Sequence, residues 1–110
     1  MAGLDPDNAT FELTESRDGE TVVIAVSGEL DLAVAGQLEE RLTALRGEGA
    51  RTRLNLAGLT FMDSTGYACI ARSVRDARDQ GWELSIDREL QSQVRMLLEV
   101  TDGESLLWPS

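Results

Sequence analysis

Residues 54–70 read LNLAGLTFMDSTGYACI, a stretch that passes from strand chemistry to helix chemistry within a few positions. Arg53 to Leu56 (RLNL) reads as a buried strand, and Gly58-Leu59-Thr60-Phe61-Met62 as the connection that follows it. Asp63-Ser64-Thr65-Gly66 then opens a helix, because short oxygen-bearing side chains satisfy the free amides of a first turn. Tyr67, Ile70, Ala71, Val74 and Ala77 fall on its inner face, while Arg72, Arg75, Asp76, Arg78 and Asp79 face outward as a solvated, internally paired surface. Gly81 terminates it.

Upstream, Thr21 to Ser27 (TVVIAVS) is a β-branched run suited to a buried central strand, closed by Gly28. Phe11 to Thr14 is a shorter strand, and Arg17-Asp18-Gly19-Glu20 supplies a hairpin turn between the two. Val34, Leu38, Leu42 and Leu45 recur at helical spacing and predict a helix with Asp31 at its N-terminal cap and Gly47 at its end. Downstream, Trp82 to Ile86 (WELSI) alternates as a strand. Leu90, Val94, Leu97, Leu98 and Thr101 predict a third helix, with Gly103 and a short tail ending Leu106-Leu107-Trp108 after it. Strands alternating with helices at these intervals indicate βαβ crossovers. The expected fold is a single α/β domain over residues 11–110: a small, mostly parallel sheet with an N-terminal hairpin strand and helices packed against it. Residues 1–10 read as a flexible N-terminus.

Composition removes whole classes of function. The 110 residues include twenty acidic and ten basic side chains, for a net charge of −10, and every basic residue is arginine. With no histidine there is no imidazole general base and no imidazole metal ligand. The lack of lysine excludes a Schiff base or a P-loop lysine. A single cysteine, Cys69, excludes an internal disulfide and a thiolate metal cluster, and reads as a small packed residue. An acidic surface repels nucleic acid and anionic lipid, so neither is an expected direct partner, and no apolar run is long enough for membrane insertion. The expected location is cytoplasmic. Residues 1–50 carry eleven acids against three arginines, and residues 51–110 nine against seven, so the segment around Ser64 lies in the less acidic half.

Ser64-Thr65 sits where a helix begins, and a phosphate attached there would meet unpaired N–H groups and the positive end of the helix dipole. Ser64 is therefore a physically sensible phosphoacceptor, with Thr65 as a secondary candidate. Asp-Ser-Thr-Gly before an apolar helix is equally plain capping chemistry, and the residues alone leave both readings open.

Two motifs carry a resemblance: Gly28-Glu29-Leu30-Asp31 after the long strand, and Leu54-Asn55-Leu56 followed by Phe61-Met62-Asp63-Ser64-Thr65-Gly66. In order, separation and flanking elements they resemble a STAS domain of the bacterial anti-sigma factor antagonist type, from about Phe11 to Val100. Val94-Arg95-Met96-Leu97-Leu98 is similar to that family's late helix. The resemblance implies a regulatory binding module with no catalytic residues, no cofactor and no metal. It implies a serine, here Ser64, phosphorylated by an ATP-binding anti-sigma factor kinase and restored by a PP2C-type phosphatase. The unphosphorylated form would hold the kinase and free a sigma factor; the phosphorylated form would release it. Asp31, Asp63, Thr65, Gly66 and Tyr67 are the positions it implies for partner contact, Tyr67 standing where the family usually has a small aliphatic residue. Asp31 and Asp63 also suit plain helix capping, and Asn55 suits pinning a loop. The alternative is a STAS assembly module that is not phosphorylated, such as the cytosolic subunit of a lipid-transport complex. A hydrolase using Ser64 with Asp63 as base lacks any second catalytic group.

Overall fold

Phe11–Asp18 (β1) and Thr21–Leu30 (β2) pair antiparallel around a two-residue turn, Gly19-Glu20, in a computed structural model that describes residues 11–108. Gly19 adopts φ +63°, the left-handed backbone that such a short turn requires and that glycine takes without steric penalty. The first strand is longer than its apolar residues indicate, because Ser16, Arg17 and Asp18 continue the ladder opposite Val23, Val22 and Thr21. The tail expected over residues 1–10 lies outside the described residues.

The chain continues as Ala35–Glu48 (α1), Thr52–Met62 (β3), Ser64–Gln80 (α2), Leu84–Ile86 (β4), Ser92–Thr101 (α3) and Gly103–Leu107 (α4). Strand order in the sheet is β1-β2-β3-β4, with β2, β3 and β4 parallel to one another. The mostly parallel sheet with a hairpin strand at its edge is the architecture the alternation of patterns predicts.

Val22, Ile24 and Val26 join Leu54 and Leu56 on the helix-facing side of the sheet, in one core with Leu38, Leu42, Leu45, Ile70, Val94, Leu98 and Leu107. Alternation turns Val23, Ala25 and Ser27 to the opposite side. There Arg53 reaches Asp18 at 3.2 Å and Asp87 at 3.4 Å, tying the two margins of the sheet to its centre. On the helical side a bidentate pair, Arg41 to Glu15 at 2.6 and 2.9 Å, holds α1 to β1.

Several boundaries differ from the expectation. Residues 58–62 are strand rather than connection: β3 runs on to Met62, with register shifts against β2 between Ala25 and Ser27 and between Gly28 and Glu29. Each shift inserts an extra residue in β3, which breaks the alternation that marks a strand. Gly58 sits at the first shift, where a Cβ would lie 2.7 Å from that of Ser27. The Asn55 side chain accepts from the Ala57 amide at 2.9 Å beside it, so Asn55 pins this irregularity. Helix α1 passes through Gly47 and ends at Gly49, which takes the left-handed cap at φ +69°. Strand β4 starts at Leu84, because the Trp82 indole is held by the Ala50 carbonyl at 2.8 Å. The tail is a short helix, α4, whose Leu107 is buried; the Trp108 indole after it donates to the Ile86 carbonyl at 2.6 Å.

Helices α1 and α2 meet along small residues. Cys69 and Ser73 are buried with Gly66 and Ala77, at intervals of three and four, and the Cys69 sulfur lies 3.8 Å from the Ala35 carbonyl. Arg72 pairs with Glu39 at 3.2 Å and Asp76 with Arg46 at 2.6 Å, so these charges bridge the two helices instead of forming a purely solvated face. Burial pushes the Cys69 thiol up to about 11. Alkylation at pH 8 is therefore expected to be slow for the folded chain and fast in denaturant, as intact mass would read out. Because the folded pKa lies above the unfolded one, this group's contribution to stability is intact below the ordinary thiol pKa. It is lost as pH rises towards 11.

Candidate functional site

The parallel strands β2 and β3 end side by side, Leu30 opposite Met62, and each chain direction then turns away from the sheet. Branching loops at the carboxyl ends of parallel strands are the usual place for a site in an α/β fold. Here the loops are Asp31–Val34 and the single residue Asp63.

Asp63 organises both. As N-cap of α2 its Oδ1 accepts from the Gly66 amide at 2.9 Å, while Oδ2 accepts from the Leu32 amide at 3.1 Å. Its own amide donates to the Leu30 carbonyl at 3.1 Å. One carboxylate thus fixes the start of α2 and the loop before α1 to each other. Asp63→Ala is expected to destabilise the fold by about 2 kcal/mol, since two amides lose their acceptor, and Asp63→Asn by roughly half as much, since one carbonyl oxygen remains. Urea unfolding of the three proteins measures this.

Asp31 does not cap α1. Its Oδ1 accepts from the Ala33 amide at 3.0 Å and its carbonyl from the Val34 and Ala35 amides, closing a turn ahead of the helix. The N-cap position falls to Val34, without a side-chain bond, because that turn intervenes. Asp31 and Asp63 nevertheless share one turn, accepting from the successive amides of Ala33 and Leu32 respectively.

Ser64 is the first residue of α2 and is exposed. Asp63 holds the cap, so the Ser64 hydroxyl is left at the helix mouth, next to first-turn amides and the positive end of the dipole. Thr65 is half-buried. Gly66 is buried, and a Cβ there would lie 2.7 Å from both the carbonyl oxygen and Cγ of Leu30, so only glycine lets α2 begin this close to the end of β2. Tyr67 is half-buried, its ring against Gly103 at the start of α4, where a Cβ would stand 2.8 Å away. It therefore joins α2 to α4 as well as bordering the Ser64 surface.

Among the described residues no cluster of three His, Cys, Asp or Glu side chains is arranged to hold a metal ion, and no helix is long and apolar enough to cross a membrane. That one carboxylate serves both loops is not legible in the sequence, because the motifs Gly28–Asp31 and Phe61–Gly66 lie far apart in the chain and meet only through the pairing of β2 with β3.

Comparison with known proteins bears on the family and the fold. The family model described as "Mlab, STAS domain" matches residues 13–107. An anti-sigma-B factor antagonist of Staphylococcus aureus (strain NCTC 8325 / PS 47) is 32% identical over 85 residues, covering 76% of this chain and 78% of that protein. The crystal structure of an anti-sigma factor antagonist from Mycobacterium paratuberculosis superposes with a TM-score of 0.76 at 19% identity, over 96% of this chain and 90% of that one. The Bacillus cell fate determinant SpoIIAA in its phosphorylated form superposes with a TM-score of 0.63 at 25% identity, over 83% and 82% of the two chains.

Proposed function

We propose that this chain, which belongs to the STAS domain family and stands with its anti-sigma factor antagonists, binds an anti-sigma factor when unphosphorylated and lets go when Ser64 carries a phosphate. The observation that carries the reading is the division of labour at the mouth of α2: Asp63 is the cap, and Ser64 is exposed with nothing structural to do. The anti-sigma factor is itself the ATP-dependent kinase, and a PP2C-type phosphatase resets the switch. The chain is a substrate and binding module rather than an enzyme. Asp31, Asp63, Thr65, Gly66 and Tyr67 border the surface the kinase covers, and the work is done in the cytoplasm.

The same helix mouth explains why phosphate would not unfold the domain. A dianion adds about −1.5 to −2 charge at pH 7 beside helix amides that can donate to it. Within an interface it must also be desolvated next to Asp63 and Asp31. The charge is tolerated by the fold and rejected by the contact, which makes a local event into a binding signal.

Peptide mapping of the chain isolated from its native cells, at rest and under stress, tests the reading. Phosphate on Ser64 that falls under stress supports it. Unmodified Ser64 in both states, with the ATPase of a lipid-transport complex copurifying, would replace it by the assembly-module alternative.

A further inference from the structure

Among the described residues four large apolar side chains stand exposed: Leu32 at 74%, Phe61 at 45%, Met96 at 61% and Val100 at 80%. They are not scattered as isolated surface hydrophobics are. Leu32 is the residue whose amide is held by Asp63, and Phe61 is the last residue but one of β3, two residues before Asp63. Met96 and Val100 lie four apart on one face of α3, while Val94 and Leu98 on its other face are fully buried. Phe61, Met62, Met96, Leu97 and Val100 line an open groove of about 440 Å³ between the end of β3 and α3. The apolar surface thus lies next to the residue that caps α2: Leu32 is bonded to Asp63, and the groove begins at Phe61, two residues before it.

Charge indicates what covers it. Glu29, opposite Phe61 in the sheet, and Glu99, between Met96 and Val100, are both exposed, on a chain of net charge −10; Arg95, the exposed cation next to Met96, directs its guanidinium to the Arg88 carbonyl. Self-association through this groove would set two acidic rims face to face, which disfavours a second copy. A partner with an apolar side chain for the groove and Lys or Arg for its rim is complementary.

We infer that the groove formed by Phe61, Met96 and Val100 is the anchoring site for the anti-sigma factor, which inserts an apolar side chain there while its kinase site covers Ser64. This rests on the phosphoswitch reading above and adds a division within the interface. The groove holds no phosphorylatable or titratable side chain among its lining residues, so it supplies affinity in a form the phosphate does not alter; Ser64 supplies the switching.

The test places a photoreactive phenylalanine analogue at position 96, at Ala68 on the exposed side of α2 and, as a control, at Thr43 on α1, each in the full chain in its native cells. Mass spectrometry identifies each adduct. The expected result is an adduct at positions 96 and 68, but not 43, with one ATP-binding anti-sigma factor. Met96→Glu and Val100→Glu should then each raise the Kd for that purified factor at least tenfold, with melting temperatures unchanged, since both side chains are exposed. An adduct at 68 alone, an adduct at 96 with a second copy or with a transport ATPase, or no adduct at 96 would overturn the inference. If the position-96 adduct forms undiminished in the Ser64→Glu chain, and the purified factor binds both chains alike, the groove stands and the phosphoswitch falls.

Discussion

Ser64→Glu is expected to weaken anti-sigma factor binding by roughly 30- to 1000-fold while leaving the domain as stable as before, or slightly more so. The two effects have opposite signs because the same charge meets two environments. Within the free domain a carboxylate at the first position of α2 faces unpaired amides and the positive dipole end, which adds about 0.3–1 kcal/mol. In the bound state it must leave water beside Asp63 and Asp31, with no cation of this chain paired to it. An uncompensated charge in an interface costs about 2–4 kcal/mol, which is the stated loss in affinity. Ser64→Ala removes only a hydroxyl that the fold does not use, so it should bind like the unmodified chain and accept no phosphate. Titration calorimetry against the copurified factor, with thermal melts of each variant, reads both signs. Equal affinity for all three chains would refute the switch.

Gly66→Ala is expected to lower the melting temperature by about 8–16 °C, although alanine is the better helix former. The helix-propensity gain is about 1 kcal/mol. Against it, the new Cβ would stand 2.7 Å from the Leu30 carbonyl oxygen, a backbone atom that also accepts the Asp63 amide. That oxygen cannot yield without parting β2 from the start of α2, so overpacking and a strained hydrogen bond outweigh the propensity gain by about 2 kcal/mol. Gly47→Ala provides the opposite sign. It also lies in a helix, but nothing comes within 4 Å of its Cβ position, and the substitution should stabilise by about 0.4–1 kcal/mol. Two helical glycines thus separate local propensity from tertiary contact. Thermal melts that moved the same way for both would contradict the close approach of α2 to Leu30.

The elements with strong periodicity were legible in the sequence. The stripe Val34, Leu38, Leu42, Leu45 does mark α1, and the run from Thr21 does mark the central strand. Asp63 could be read as a cap because cap chemistry is local. What was hidden depends on residues far apart in the chain. The second half of β3 looked like a loop because two register shifts abolish the alternation, and only pairing with β2 shows it as strand. Cys69 reads as a packed residue and is one, but neither it nor Ser73 belongs to the apolar stripe of α2, since a helix packed on both a sheet and a neighbouring helix buries a wider arc than one stripe. Asp31 looks like the α1 cap in the sequence because nothing nearby signals that Leu32 is drawn to Asp63 and that a separate turn forms. On α3 the stripe through Val94, Leu97 and Leu98 leaves Met96 and Val100 off the inner face, but their place beside Phe61 is not legible, since it depends on how β3 ends.

One phosphate on Ser64 is expected to change binding without changing the fold. The most direct test is the Kd of a single preparation for the anti-sigma factor, measured before and after stoichiometric phosphorylation of Ser64 by that factor and ATP, with product nucleotide removed. The expected result is a loss of at least thirtyfold in affinity with an unchanged melting temperature. Equal affinity before and after, or transfer of phosphate to a residue other than Ser64, would contradict it.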